Sequence, residues 1–222
     1  MQYQYEVTEN PINFKGQIMR LWDEYMPETP AHRYDWLTNG NPAGKTKWIL
    51  ALDKQDNRLA GLITIMPRQF IWKGKSLLFG ILGDFVVDEQ YRGYGPGLKL
   101  PRYALNKARD LGFSIVYTIP YYGTIKHFER AGFKSKLDLQ WFVKPLVFDE
   151  HINNKIFARS LNVAALVFDT ICWHLFLNPV FFGGKYFTEN KEFNDSFDGL
   201  FVRISENAPS PLGRRDSGYL TW

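Results

Sequence analysis

Cysteine is almost missing: Cys172 stands alone among 222 residues, so neither an intrachain disulfide nor a cysteine metal cluster can form. That fits a reducing compartment and sets the expected location as cytoplasmic. Flanked by Ile171, Trp173 and Leu175, its thiol reads as buried apolar filling rather than as a nucleophile. No basic-then-apolar signal peptide is present in the opening Met1-Gln2-Tyr3-Gln4-Tyr5-Glu6. Long hydrophobic runs are absent too. The most apolar stretch, Leu161 to Leu177, is interrupted by Asn162, Asp169, Thr170 and His174, so no run is long enough to span a bilayer. Concentrated charge is the last absence. The formal net charge is +4, but Lys and Arg are scattered among acidic neighbours. They form no patch or stripe of the kind nucleic acid demands, whereas an anionic small ligand would suit such a surface.

What the chain has in plenty is aromatic side chains, 17% of all residues, enough to fill a large core or line a cleft. Their arrangement has a clear order. Tyr3 to Val7 alternates as a strand, and Phe14, Ile18, Leu21 and Trp22 then recur at helical spacing to about Tyr25. Asn10 is the expected N-cap of that helix, with Pro11 on its first position and Pro27 and Pro30 beyond its end. Tyr34 to Gly44 runs from aromatic anchors into turn residues and reads as a loop. Three strands follow, Lys47 to Leu52, Arg58 to Phe70 and Ser76 to Val87, with Trp72-Lys73-Gly74-Lys75 as a hairpin turn, which together predict an antiparallel meander.

The pattern then changes to a helix over Gly97 to Leu111, a strand over Ser114 to Ile119, a short helix over Thr124 to Arg130 and a strand over Leu137 to Lys144. Strand, glycine turn, helix and strand form a βαβ unit, which requires two parallel strands. The expected fold is therefore α+β with a mixed sheet. Beyond it, 153–177 reads as a long helix, 179–184 as a break, Phe193 to Ile204 as an element of open type and Ser205 to Gly218 as loop.

The chemistry sits between the strand ending at Val87 and the helix beginning near Gly97. Gly93, Gly95 and Gly97 alternate there, and glycine lets a backbone turn sharply and approach a ligand closely. A helix N-terminus adds unpaired N–H groups and partial positive charge, so the combination can cradle a phosphate. Read on their own, the three glycines fit a plain connecting turn equally well. No Walker lysine follows them, and no Rossmann acid is correctly placed.

Gln90-Tyr91-Arg92-Gly93-Tyr94-Gly95 resembles the Gln/Arg-x-x-Gly-x-Gly/Ala signature of the GNAT acyltransferase superfamily, and Phe128-Glu129-Arg130-Ala131-Gly132-Phe133 is similar to its next motif. The resemblance implies a GNAT domain over 1–148, with splayed parallel strands, flanking helices and a helical, loop-rich extension over 149–222. It implies acetyl-CoA as acyl donor, no metal, and a small amine as acceptor attacking the thioester directly. Phe85, Val86 and Val87 would pair with the pantetheine arm. The loop Gln90, Tyr91, Arg92, Gly93, Tyr94, Gly95, Pro96, Gly97 and Leu98 would hold the pyrophosphate, through the amides of 92–98 other than that of Pro96.

Asp84 is the implied base or ammonium site, desolvated by Leu82, Phe85 and Val86. The family's usual proton-donating tyrosine is replaced by Phe128, so Tyr122 is carried as the catalytic substitute, with Tyr121 and His127 as others. This departure keeps a second reading open, a catalytically silent module that binds CoA or a protein. The segment 151–177 is expected to cover the acceptor side or to mediate a homodimer. Tyr34-Asp35-Trp36 and the late Arg214-Arg215-Asp216 and Tyr219-Leu220-Thr221-Trp222 resemble a bacterial GNAT subgroup linked with surface polysaccharide synthesis. That likeness predicts a second GNAT-like half in a longer parent protein.

Overall fold

The computed structural model describes residues 2–134 and 195–220. The strand expected over 137–144, the helix over 153–177 with Cys172, and the break at 179–184 lie outside the described residues. Met1–Ser135 and Phe193–Trp222 form one compact unit.

The meander forms as the alternation predicts. Strands β1 (Tyr3–Thr8), β2 (Lys47–Asp53), β3 (Leu59–Trp72) and β4 (Lys75–Val87) pair antiparallel in chain order, and β5 (Ile115–Tyr117) joins β4 in parallel. Between β4 and β5 runs helix α3 (Pro96–Ala108), the crossover that a parallel pair requires. Lys73 and Gly74 both have positive φ, the geometry of a two-residue hairpin turn that matches strand twist.

β2 is buried along both faces and therefore reads as a continuous apolar run. Trp48, Leu50 and Leu52 pack with Ile18, Leu21 and Trp22 of α1 (Lys15–Tyr25) and with Tyr34 and Leu37 of α2 (Arg33–Thr38). On the opposite face, Ile49 and Ala51 join Ile63, Ile65 and Leu82 beneath Leu100, Ala104 and Ala108 of α3 and Phe128 of α4 (Ile125–Ala131). Glycine fits best at Gly80 in this layer, because a Cβ there would stand 2.5 Å from the Ile65 methyl Cγ2.

Three local expectations are corrected. Arg33–Thr38 is helical rather than loop, because Tyr34 and Leu37 fall one turn apart and are both buried. Asn10 does not cap α1. A 3-10 turn, Ile12–Phe14, leads into the helix, and the Asn10 amide donates to the Thr8 hydroxyl instead. The tail is not all loop either. The element of open type is helix α5 (Asp195–Glu206), β6 (Leu212–Gly213) pairs with Phe70 and Ile71 of β3, and α6 (Ser217–Leu220) follows. β2 accompanies β3 only as far as Ile65, which leaves the outer half of β3 an edge for β6 to cover.

Candidate active site

The site begins where β4 loses a neighbour. β5 pairs with β4 only from Phe79 to Ile81, and the Thr118 hydroxyl makes one further link to the Leu82 carbonyl at 3.1 Å. Past that point β4 continues beside β3 alone, with Val86 opposite Leu62 and Val87 opposite Gly61. Among the described residues its other edge has no strand partner, so the parallel pair opens into a V. Gly61 lets β3 approach closely here, since a Cβ would lie 2.7 Å from the Val86 carbonyl oxygen.

A β-bulge lies within the V. Between Thr64↔Gly83 and Leu62↔Val86, β4 spends one residue more than β3, and Asp84 absorbs the extra residue at φ +50°. The bulge turns the Asp84 side chain to the α1/α2 face, where it is 3% exposed. Arg33 donates Nε to Oδ1 at 3.1 Å and Nη2 to Oδ2 at 3.3 Å, and the Thr64 hydroxyl donates to Oδ2 at 2.8 Å. Arg33 also lies 4.8 Å over the Trp36 ring. Asp84 is thus an ion-paired carboxylate. Among the described residues Oδ1 accepts one hydrogen bond and Oδ2 two, which leaves one lone-pair site on Oδ1 for a further donor.

The loop after β4 is fixed at both ends. Asp88 caps a 3-10 turn, Glu89–Tyr91, by accepting from the Gln90 amide, and Arg20 of α1 pairs with the same carboxylate. Tyr91 turns inward against Tyr3 and is buried. The amides of Arg92, Tyr94 and Leu98 donate to the carbonyls of Glu89, Tyr91 and Gly95. Among the described residues no carbonyl or side chain takes the N–H of Gly93, Gly95 or Gly97. Gly93 at φ +82° and Gly95 at φ +112° adopt the turn that exposes these amides at the start of α3. The amides open to a phosphate are therefore fewer than the sequence suggests: those of three alternating glycines, beside the helix N-terminus. Pro96, buried on the first helical position, has no N–H to satisfy.

Lys99 lies beside Gly95, its Nζ 3.7 Å from where a Cβ would stand. Arg92 reaches back across the V. Its Nε donates to the Val87 carbonyl at 3.1 Å, and its guanidinium lies 4.5 Å over the Tyr25 ring. The Tyr25 hydroxyl in turn accepts from the Glu89 amide at 3.0 Å. That bond pulls the Tyr25 phenol pKa down, but burial and the acidic neighbours Glu24 and Asp88 outweigh it and raise the pKa overall.

The cleft so enclosed measures about 340 Å³, with Tyr25 and Met26 on one wall and Thr124 and His127 on the other. Its floor is Phe85, Val86 and Val87, and Arg92, Gly93 and Gly97 close the end. These six are sequence-predicted site residues brought together as expected. Tyr94, 61% exposed, and Gln90 face solvent outside the lining. Tyr122 is 87% exposed and also lies outside it. Phe128 is buried edge-on against Phe85 and Phe133. His127, a turn partner of the cleft, has its ring 6.4 Å from that of Phe85 and its Cδ2 3.9 Å from where a Gly97 side chain would begin. Sequence reasoning missed Tyr25, Met26, Thr124 and Arg33. The only signal for the first two was their place at the end of α1, just before Pro27.

An open strand edge next to a helix N-terminus can hold an extended amide chain that ends in phosphates. A sequence model of the acetyltransferase (GNAT) family matches residues 15–133. An aminoglycoside acetyltransferase from an uncultured soil metagenomic sample, solved with trehalose, shares 18% identity at a TM-score of 0.50, over 65% of this chain and 96% of that one. A Trypanosoma brucei acetyltransferase is 18% identical at a TM-score of 0.49, over 64% and 100% of the two chains. A predicted acetyltransferase with acetyl-CoA from Clostridium acetobutylicum is 15% identical at 0.48, over 68% and 99%. No protein of curated function matches in sequence.

Proposed function

The chain belongs to the GNAT acetyltransferase family, and from that premise we propose that it moves an acetyl group from acetyl-CoA to the nitrogen of a small amine. One observation carries this reading: the open amides of Gly93 and Gly97 and the edge of β4 that has no strand partner among the described residues border the same cleft. The amides of Gly93, Gly95 and Gly97 bind the donor's pyrophosphate, helped by the α3 N-terminus and by Lys99. The backbone of Phe85 to Val87 takes the pantetheine arm as a sheet takes an added strand.

Acetyl-CoA supplies an activated thioester, and the chain's residues orient it and manage charge and protons. The Val87 N–H, on the same open side of β4 as the carbonyl that Arg92 binds, stabilises negative charge that grows on the thioester's carbonyl oxygen. Asp84, through its remaining lone-pair site, holds the incoming amine on the α1/α2 face and takes the proton that the nitrogen loses as it bonds to the acyl carbon, while Arg33 and Thr64 fix the carboxylate's orientation. Proton donation to the departing sulfur falls to His127, which lines the cleft, rather than to Tyr122, which stands outside it.

Calorimetric titration with acetyl-CoA, followed by a thiol-release assay over a panel of amines, tests the proposal. Saturable binding with amine-dependent thiol release is expected. Binding without release on any amine would favour the silent module, and absence of binding would remove both readings. Asp84→Asn is expected to lower kcat on the order of 10²-fold with CoA affinity nearly unchanged. Tyr122→Phe is expected to leave turnover as it was.

A further inference from the structure

The α1/α2 face of the sheet carries more than Asp84. Residues paired across neighbouring strands share a face, so three rows can be read from the register. Thr64 and Gly83 form the first row, next to the Asp84 bulge. Met66, Ile81 and Tyr117 form the second, and Arg68, Phe79 and Ile115 the third. The face therefore presents an acid at the mouth of the V and an arginine two rows away. Four residue steps of strand lead from Thr64 to Arg68, about 13 Å of backbone at ~3.3 Å per residue.

Arg68 is held rather than loose. Its Nη2 donates to the Arg214 carbonyl at 3.0 Å, and its guanidinium lies 4.6 Å over the ring of Tyr219. The Tyr219 hydroxyl accepts from the Gln69 amide at 2.9 Å, and the Arg214 amide donates to the Gln69 carbonyl at 2.8 Å, so the C-terminal segment is bolted to β3 at this point. Arg214 has its own carboxylate in Asp216, as Arg33 has Asp84. Arg68 has none among the described residues. The fork has five N–H donors, of which one is used by the carbonyl of Arg214.

Tyr117 stands in the neighbouring row, half-buried, and its hydroxyl has no hydrogen-bond partner among the described residues. Burial raises the pKa of its phenol, and the positive charge of Arg68 is near enough to oppose that rise. A fixed guanidinium with spare donors and, among the described residues, no counter-ion, close to a phenol with no partner among them, is a site for an anion.

Resting on the acetyl-transfer reading above, we propose that the acceptor is an amine that also carries an anionic group, a phosphate or a carboxylate. Asp84 receives the amine, and Arg68 with Tyr117 receives the anion. The tail fixes Arg68 in place, so the C-terminal segment acts in substrate choice. Arg33 cannot serve in its place, because Nε and Nη2 are both turned onto Asp84.

The test compares acceptors that differ only in the anion: glucosamine against glucosamine 6-phosphate, and hexylamine against 6-aminohexanoate, with 4-aminobutyrate and 8-aminooctanoate to read the spacing. Thiol release from acetyl-CoA by the full chain gives kcat and KM for each. The anionic member of at least one pair is expected to have kcat/KM about 10- to 100-fold higher, the range of one charge-assisted interaction. The glucosamine pair reports a phosphate site and the alkyl pair a carboxylate site.

Arg68→Gln, which keeps a donor for the Arg214 carbonyl, should erase that advantage through KM and leave the neutral acceptor unchanged. Tyr117→Phe, which removes a single hydroxyl, should reduce it by a smaller factor and serves if the first variant folds poorly. Equal kcat/KM within both pairs, or an equal loss on neutral and anionic acceptors in both variants, would overturn the anion site while acetyl transfer stands. Absence of thiol release from every acceptor would overturn both.

Discussion

Removing Arg33 should leave Asp84 as a buried charge with only the Thr64 hydroxyl to hold it. The Nε–Oδ1 distance is 3.1 Å, which at an effective dielectric constant of about 20 corresponds to an attraction of about 5 kcal/mol before desolvation is counted. Arg33 is 30% exposed and Asp84 3% exposed, so solvent screens one partner and hardly reaches the other. Breaking a fully buried pair costs ~3–5 kcal/mol, and partial exposure here reduces the expected loss for Arg33→Gln to about 2–3 kcal/mol. In a domain of this size that corresponds to a fall in Tm of roughly 5–10 °C.

Urea denaturation of Arg33→Gln, Asp84→Asn and the double variant provides the assay. Asp84→Asn removes the charge that Arg33 compensates, so the double variant should recover at least half of the single Arg33→Gln deficit. Deficits that simply add would refute the pair as an energetic unit. They would also remove the argument that Arg33 sets the orientation of the Asp84 carboxylate.

Gly95→Val would place a β-branched side chain at φ +112°, so it should displace the neighbouring glycine amides and weaken CoA binding on the order of 10-fold or more in calorimetry. Gly80→Ala should destabilise the fold by about 1–3 kcal/mol in urea melts, because its methyl would press on Ile65, Val116 and Phe113 at once. Burial pushes the Tyr5 phenol from 10.0 up to about 12, and its hydroxyl has no partner among the described residues. The folded state thus favours the protonated phenol, and that contribution, about 2–3 kcal/mol, is complete below pH 10 and lost as pH rises towards about 12. Tyr5→Phe should therefore be near neutral at pH 7 and more stable than the parent at pH 12 in chemical melts.

The sheet and the glycine turn before α3 were legible because both are written locally. Alternation over Lys47 to Val87 spells the meander, and the glycines fall between a strand and a helix within ten residues. The walls of the cleft were not legible. Tyr25 and Arg92 meet through the fold, 67 positions apart in the chain, and nothing near either residue signals the other. Arg33 and Asp84 are 51 apart, and the bulge that turns Asp84 towards α2 depends on one extra residue in β4, which no periodicity marks. The dock of Leu212–Gly213 onto Phe70–Ile71 involves too few residues to alternate, so the tail reads as loop until β3 presents its free edge. The helix α2 was hidden for a similar reason, since six residues give one turn and a half, too short for a periodic pattern.

The central claim is that Gly93, Gly95 and Gly97 hold the pyrophosphate while Phe85 to Val87 hold the pantetheine arm. Titration of the ¹⁵N-labelled chain with CoA, followed by amide NMR, reads the two halves separately. CoA should shift the amides of Gly93, Gly95 and Gly97 together with those of Phe85 to Val87, whereas pantetheine, which lacks the pyrophosphate, should move only the second group. Glycine amides that stay in place with CoA, or that respond equally to pantetheine, would contradict the assignment.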